Sequence, residues 1–77
     1  MADEFTLNLL YRRVYASARA RIERNPITLD REPIRRRIRA TPLEDVELDP
    51  TLAADPEALE TIRDAVEDAL AGRQPRW

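Results

Sequence analysis

Residues 55–72, DPEALETIRDAVEDALAG, carry the clearest structural signal of the chain. Asp55 is a favourable helix N-cap, Pro56 suits the first helical position, and Gly72 suits the left-handed position just beyond a helix. Between them, apolar side chains recur every three or four positions, as they do on one face of a helix: Leu59, Ile62, Val66, Ala69 and Leu70. This pattern predicts a helix over residues 56–71.

Acidic residues occupy the other side of this helix: Glu57, Glu60, Asp64, Glu67 and Asp68. Charged side chains opposite an apolar face are usually solvated. Paired carboxylates perform acid–base catalysis only where a pocket separates their pKa values. We therefore expect the pairs Glu67/Asp68 and Glu44/Asp45 to be exposed and ionised, with no catalytic role.

A second long helix is predicted over residues 4–24, where apolar side chains again share one face: Leu7, Leu10, Tyr11, Val14, Ala18 and Ile22. The pair Asn25-Pro26 ends this helix, because proline disfavours helical geometry in the residue before it. We expect the apolar faces of the two long helices to pack against each other and to form the core.

The start of this first helix has two interpretations, because Asp3 and Thr6 are both suitable N-caps. If Thr6 is the cap, Phe5 lies outside the helix and packs against Leu10 as a hydrophobic staple, and Leu9 is a single exposed apolar residue. The other interpretation places Phe5 and Leu9 on a second, thinner apolar line that continues through Ala16 and Ala20. A helix that is apolar on two sides usually packs between two partners.

The segment between the long helices contains shorter elements. Ile27-Thr28-Leu29 fits either a three-residue strand or an extended link. A short helix is predicted over residues 33–40, with Pro33 in its first turn. Residues 42–54 mix prolines, acids and apolar residues, which predicts an extended acidic arm with apolar anchors and not a flexible linker.

The length of 77 residues and the mass of 8.9 kDa allow one domain with a small core. The sequence contains no cysteine, so no disulfide supports this core. We therefore predict a single all-α domain over residues 1–77. It is built from two main amphipathic helices, one short helix and the extended acidic arm.

The composition argues against several classes of function. Without histidine or cysteine, the chain lacks the usual general base at neutral pH and the ligands of nearly all structural zinc sites. Its one glycine is a helix cap, so there is no glycine-rich phosphate loop. We expect no catalytic residue, no metal site and no cofactor, and hence not an enzyme. No apolar run is long enough for a membrane span or a signal-peptide core, so we expect a cytoplasmic protein. A basic amphipathic helix can bind a membrane surface, but we expect the apolar face of the first helix to pack against the last helix and not to bind a membrane.

The charges of the chain are unevenly distributed. All 13 basic residues are arginine, a bias that we attribute to a GC-rich, bacterial genome. Residues 1–41 contain ten arginines and five acids, and residues 42–77 contain three arginines and ten acids, so the two parts carry +5 and −7. A basic half can mark nucleic-acid binding. We favour the alternative that the acidic half neutralises the basic half, because the isoelectric point of about 5.1 is low for a nucleic-acid-binding protein.

These observations favour a non-catalytic protein–protein interaction module, such as an adaptor, regulatory or assembly subunit. We expect it to associate with itself as a homodimer, or to bind another protein within a complex. The expected contact residues are apolar side chains of the first helix and of the acidic arm: Phe5, Leu9, Leu43, Val46 and Leu48. The alternative is a small nucleic-acid-binding regulator. It would use the arginine-rich segment 31–39, whose phosphate contacts would be Arg35, Arg36, Arg37 and Arg39.

Overall fold

The computed structural model describes residues 3–24 and 32–76. Within these ranges the chain forms four helices: α1 (Glu4–Arg24), α2 (Glu32–Ala40), α3 (Pro50–Ala53) and α4 (Pro56–Leu70). Helices contain 73% of the described residues and none of these residues lies in a strand, which confirms the all-α class and the two main helices. The choice between a strand and a link at residues 27–29 lies outside the described residues.

Helix α1 begins where Asp3 acts as its N-cap. The Asp3 carboxylate accepts a 2.7 Å hydrogen bond from the backbone amide of Thr6, and the Asp3 carbonyl accepts a helical bond from the amide of Leu7. Phe5 therefore lies inside the helix, and 77% of its surface is exposed. Of the two interpretations, the one in which Thr6 caps the helix and Phe5 packs against Leu10 is wrong, because the helix begins about one turn earlier.

The core lies between α1 and α4. Tyr11 and Val14 of α1 have no exposed surface, and neither do Ala58, Ala65 and Ala69 of α4. The distance between packed helices depends on the size of the side chains at their contact, so the three alanines allow α4 to approach α1 closely. The larger side chains of α1 then fill the space beside them.

Helix α2 contributes the buried Ile38 to the core and is joined to α1 by Arg21, which is itself 8% exposed. The Arg21 guanidinium donates to the carbonyl oxygen of Thr41 at 2.6 Å and to its hydroxyl at 2.8 Å, and it lies 2.9 Å from the Glu44 carboxylate. The amide and hydroxyl of Thr41 both donate to the carbonyl of Arg37. One side chain of α1 thus holds the end of α2 and the segment that follows it.

The segment 42–54 contains more structure than an extended arm. Asp49 caps α3 by accepting a 2.8 Å hydrogen bond from the amide of Thr51, and Pro50 is the first residue of this helix. Three half-buried leucines pack the segment against the core: Leu43, Leu48 and Leu52. The prediction that the whole arm is extended is therefore wrong, because residues 50–53 form α3. The arm packs against the core through its leucines.

Helix α4 begins as its sequence predicts. The Asp55 carboxylate accepts a 3.0 Å hydrogen bond from the amide of Glu57, and Pro56 occupies the first helical position. One residue of its predicted apolar face departs from the pattern, because Leu59 is 50% exposed. Helix α2 ends beside the second half of α4, so the side chain of Leu59 in the first half stays open to solvent.

The end of α4 reverses the direction of the chain. Gly72 adopts a φ of +71°, which is unfavourable for a residue with a side chain. The amide of Gly72 then donates to the carbonyl of Ala69, and the amide of Arg73 donates to the carbonyl of Asp68. This pair of bonds is a Schellman motif, and it directs residues 73–76 back along α4.

Candidate functional site

A buried carboxylate lies in the last turn of α4. Asp68 is only 2% exposed, and both of its oxygens accept hydrogen bonds. Oδ1 accepts one from Nε of Arg73 at 2.8 Å, and Oδ2 accepts one from Nε of Arg76 at 2.8 Å and one from the Tyr11 hydroxyl at 2.6 Å. The expectation that Asp68 belongs to an exposed acidic face is wrong, because the chain turns back and its own arginines cover this carboxylate.

The surroundings of Asp68 keep the carboxylate ionised. Burial raises the pKa of the Asp68 carboxyl, but hydrogen bonds from Tyr11, Arg73 and Arg76 outweigh burial and hold this pKa below its usual value. Burial also raises the pKa of the Tyr11 hydroxyl, and its bond to Asp68 raises that pKa further. All of these donors belong to the chain itself. The cluster therefore joins α1, α4 and residues 73–76.

Residues 73–76, which we call the tail, make two further contacts with α1. The Tyr15 hydroxyl donates to the carbonyl of Arg73, and the amide of Arg76 donates to the Tyr11 oxygen at 3.1 Å. The rings of the two tyrosines are stacked, with their centroids 6.0 Å apart. Both tyrosines thus use their polar ends to hold the tail, which makes the cluster a structural clamp.

The expected contact residues on α1 are exposed. Phe5 and Leu9 lie four positions apart, so their side chains are neighbours on one face of the helix. Leu9 is 40% exposed and Phe5 more so. We call this pair the α1 knob. Ala16 and Ala20, which continue the second apolar line, are exposed too, and they border a groove of about 720 Å³ between α1 and the acidic arm.

The expected contact residues on the arm are all half-buried within the fold. Leu43 and Leu48 are half-buried and pack against the core. Val46 is half-buried as well and lines the groove beside α1. The structure therefore does not bring the five residues together on one surface, and the two exposed ones are Phe5 and Leu9 of the α1 knob.

Two arginines of the arginine-rich segment face acids of the same chain. Arg39 forms a two-pronged ion pair with Glu67, with Nε 2.9 Å from Oε2 and Nη2 3.1 Å from Oε1. The hydrogen bond from Arg39 lowers the pKa of the Glu67 carboxyl. Arg37 lies 4.0 Å from Glu44. These contacts neutralise part of the basic half within one molecule.

The remaining arginines of this segment are arranged differently. Arg35 is half-buried and lies beside the end of α4, near Leu70. Arg36 is exposed. Neither makes an ion pair within residues 3–24 and 32–76, and Arg31 lies outside the described residues. Two of the four expected phosphate contacts are therefore free of acidic partners in this part of the chain.

A groove of about 460 Å³ runs along α4, and sequence reasoning missed it. We call it the α4 groove, and it is lined by residues of α4, the end of α2 and the turn after it: Arg39, Pro42, Leu59, Ile62, Arg63, Val66 and Glu67. The signal that points to it is the spacing of Leu59, Ile62 and Val66 opposite a helix, α2, of only nine residues. A helix that short cannot cover the whole length of α4.

The described ranges contain no group of three or more side chains that could hold a metal ion. None of the helices in these ranges is both long and apolar enough to cross a membrane. The chain matches no protein-family model, no curated protein and no solved structure.

Proposed function

We propose that this protein is a non-catalytic interaction module, an adaptor, regulatory or assembly subunit that associates with itself or with another protein. The observation that carries the proposal is the α1 knob, in which Phe5 and Leu9 stand one helical turn apart and are 77% and 40% exposed. Single exposed apolar residues are normal on protein surfaces. Adjacent ones form a patch, and exposed apolar patches that are rimmed by polar residues mark protein–protein interaction sites.

The exposure of the chain's single phenylalanine also supports an interaction role. The chain has a single phenylalanine, and the fold leaves it on the surface while alanines fill the contact between α1 and α4. Complete burial of a phenylalanine side chain stabilises a protein by about 1.5–3 kcal/mol. A domain of this size has little stability to spare, so the exposure of Phe5 is best explained by burial in a complex.

The chemistry of the chain supports the non-catalytic part of the proposal. The sequence has no histidine and no cysteine, and the buried carboxylate of Asp68 is fully engaged by Tyr11 and by arginines of the tail. Strongly perturbed acids often mark active sites, but ion-pair networks within a fold perturb them too. We further propose that the module acts in a bacterial cytoplasm, in keeping with its composition.

Sedimentation equilibrium and a pull-down from native lysate test this proposal together. The wild type is compared with Leu9→Arg, which places a charge in the α1 knob, and with Ala53→Arg, which places the same charge on exposed α3. We expect association with itself or with a lysate protein to be lost in Leu9→Arg and kept in Ala53→Arg. The proposal is contradicted if the wild type is strictly monomeric and if the pull-down recovers the same lysate proteins with the wild type as with Leu9→Arg.

A second candidate function is nucleic-acid binding by the arginine-rich segment. The observation that favours it is that Arg35 and Arg36 make no ion pair in the described ranges. The pairing of Arg39 with Glu67 and the approach of Arg37 to Glu44 argue against it, because these arginines already face carboxylates. The net charge of −2 also opposes the approach of a polyanion.

A further inference from the structure

We infer that the partner of the α1 knob is a second copy of this chain, and that the knob of one copy docks head to tail in the α4 groove of the next. This inference rests on the proposed function and names both the partner and its binding site. It is carried by the fit between two surfaces that lie on different helices of the same molecule.

The α4 groove has the chemistry of a site for apolar side chains. Its floor is formed by Leu59, Ile62 and Val66 of α4, with Pro42 at one side. The volume of about 460 Å³ falls in the range of sites that take up compact ligands, about 300–1,000 Å³. At the rim, Arg63 is exposed and makes no ion pair within the described part of the chain.

The α1 knob carries the complementary charge. Asp3 and Glu4 precede Phe5 directly, and both acids are exposed. The hydrogen bonds from Thr6 lower the pKa of Asp3, so this carboxylate is ionised at neutral pH. Opposite charges at the edge of an apolar contact steer association and fix its orientation. Docking of the knob would place these acids next to the guanidinium of Arg63.

The two surfaces are distinct, so the contact is heterologous. Each copy then offers one knob and one groove, and the assembly closes into a ring or continues as a chain of molecules. A standard interface buries about 800 Å² on each partner, and this molecule exposes 5534 Å². The surface therefore has room for two such contacts on one copy, as a head-to-tail arrangement requires.

A mixing experiment followed by sedimentation velocity tests the inference. The knob variant carries Phe5→Glu and Leu9→Glu, and the groove variant carries Leu59→Glu and Arg63→Glu; all four positions are exposed, and circular dichroism verifies that both variants fold. We expect the wild type to associate between micromolar and submillimolar concentrations and each variant alone to be monomeric. Their mixture should form a 1:1 dimer, because the groove variant keeps a knob and the knob variant keeps a groove.

Variants with the same change in net charge distinguish the effect of the Arg63 contact on association from the effect of overall charge. Arg63→Glu should weaken association severalfold, and the double variant Glu4→Arg/Arg63→Glu, in which every contact has the two charges exchanged, should recover part of the loss. Arg36→Glu, which makes the same charge change at an exposed position of α2, should have no effect. Equal weakening by Arg36→Glu and Arg63→Glu overturns the assignment of Arg63 to the contact.

The remaining outcomes distinguish failure of the head-to-tail inference from failure of the proposed interaction module. A wild type that stays monomeric at all concentrations overturns the inference, while a lysate protein lost in Leu9→Arg would still support the interaction module. Association that depends on the α1 knob but not on the α4 groove shows that the groove is not the binding site. If both variants are monomeric and their mixture does not associate, the head-to-tail arrangement is wrong.

Discussion

The hydroxyl of Tyr11 donates a 2.6 Å hydrogen bond to Asp68, a residue 57 positions further along the chain. The two residues lie in α1 and α4, and both are buried. The same carboxylate accepts hydrogen bonds from Arg73 and Arg76. A single side chain therefore connects the first helix, the last helix and the tail, and it is the point at which the stability of this fold can be probed.

Replacement of Asp68 with Ala should destabilise the protein by about 1–3 kcal/mol, because it leaves the buried Tyr11 hydroxyl without its acceptor. The two arginines are half-exposed and can be solvated, which keeps the loss below that of a fully buried ion pair. Urea denaturation followed by circular dichroism measures the change. Asp64→Ala is the control, since the contact of Asp64 with Arg76, 3.2 Å away, is more exposed, and this variant should cost less than about 1 kcal/mol. Equal effects of the two variants would contradict the role of Asp68.

The stability should fall in acid. The pKa values of Asp68 and Glu67 are both lowered in the folded chain. In the unfolded chain, the pKa of each carboxyl group is about 4. Above that pH both states are ionised and the stabilisation is complete. As the pH falls below it, the unfolded chain binds protons first, so stability is lost until the pH has passed the lower, folded values. Thermal melts between neutral pH and about pH 2 measure this loss, and Asp68→Asn should show a shallower dependence than the wild type.

Replacement of Gly72 with Ala should cost about 1–2 kcal/mol, because an L-residue is strained in the left-handed conformation. A Cβ at this position meets no atom within 4 Å, so the cost is conformational and not a clash. Gly72→Asn should cost less, since asparagine tolerates this conformation better. The midpoints of thermal unfolding compare the three proteins. An unchanged midpoint in Gly72→Ala would contradict the conformational cost that the left-handed φ of Gly72 predicts.

The buried and open parts of the α4 apolar face should respond differently to charge. Val66→Asp should unfold the protein, because Val66 is 3% exposed and an unpaired charge there cannot be solvated. Leu59→Asp should leave the fold intact, since half of its surface already contacts water. Circular dichroism distinguishes the two results. A folded Val66→Asp variant would contradict the burial of Val66 in the core between α1 and α4.

Nucleic acid should bind this protein poorly. A gel-shift titration with duplex DNA at about 50 and 200 mM salt compares the wild type with a variant in which Arg35, Arg36 and Arg37 are all replaced by Gln. We expect weak binding and little difference between the two proteins. Submicromolar affinity of the wild type that falls steeply with salt and disappears in the variant would favour the nucleic-acid-binding alternative.

The helices are predictable because their ends are encoded locally. Asp55-Pro56 at one end of α4 and Gly72 at the other define that helix without any knowledge of the fold. Helix α3 was missed because four residues show no periodicity. Its start nevertheless repeats the same signal, with Asp49 as the cap and Pro50 as the first residue. The cap and the proline are therefore more informative than periodicity for the shortest helices.

The clamp at Asp68 was not predictable from the sequence. Asp68 follows Glu67, and a pair of acids on the polar side of a helix gives no sign that one of them is buried. Its partners are a tyrosine 57 positions away and two arginines of a tail that has no periodic pattern. The α4 groove was not predictable for a related reason, because the exposure of Leu59 depends on where α2 ends. Both features arise from contacts between distant segments.

The forked contacts of arginine restrict how this sequence can diverge. The guanidinium of Arg21 reaches three acceptors at once. That of Arg39 uses two nitrogens on the two oxygens of Glu67, and that of Arg76 uses two nitrogens on the carboxylates of Asp68 and Asp64. Lysine keeps the charge but presents one compact ammonium, which does not reproduce such planar pairs. Exchange between arginine and lysine should therefore be frequent among orthologues at exposed positions such as Arg12 and Arg36, and rare at the three forked ones. In this way the geometry of the fold, and not only the base composition of a genome, would keep lysine out of these positions.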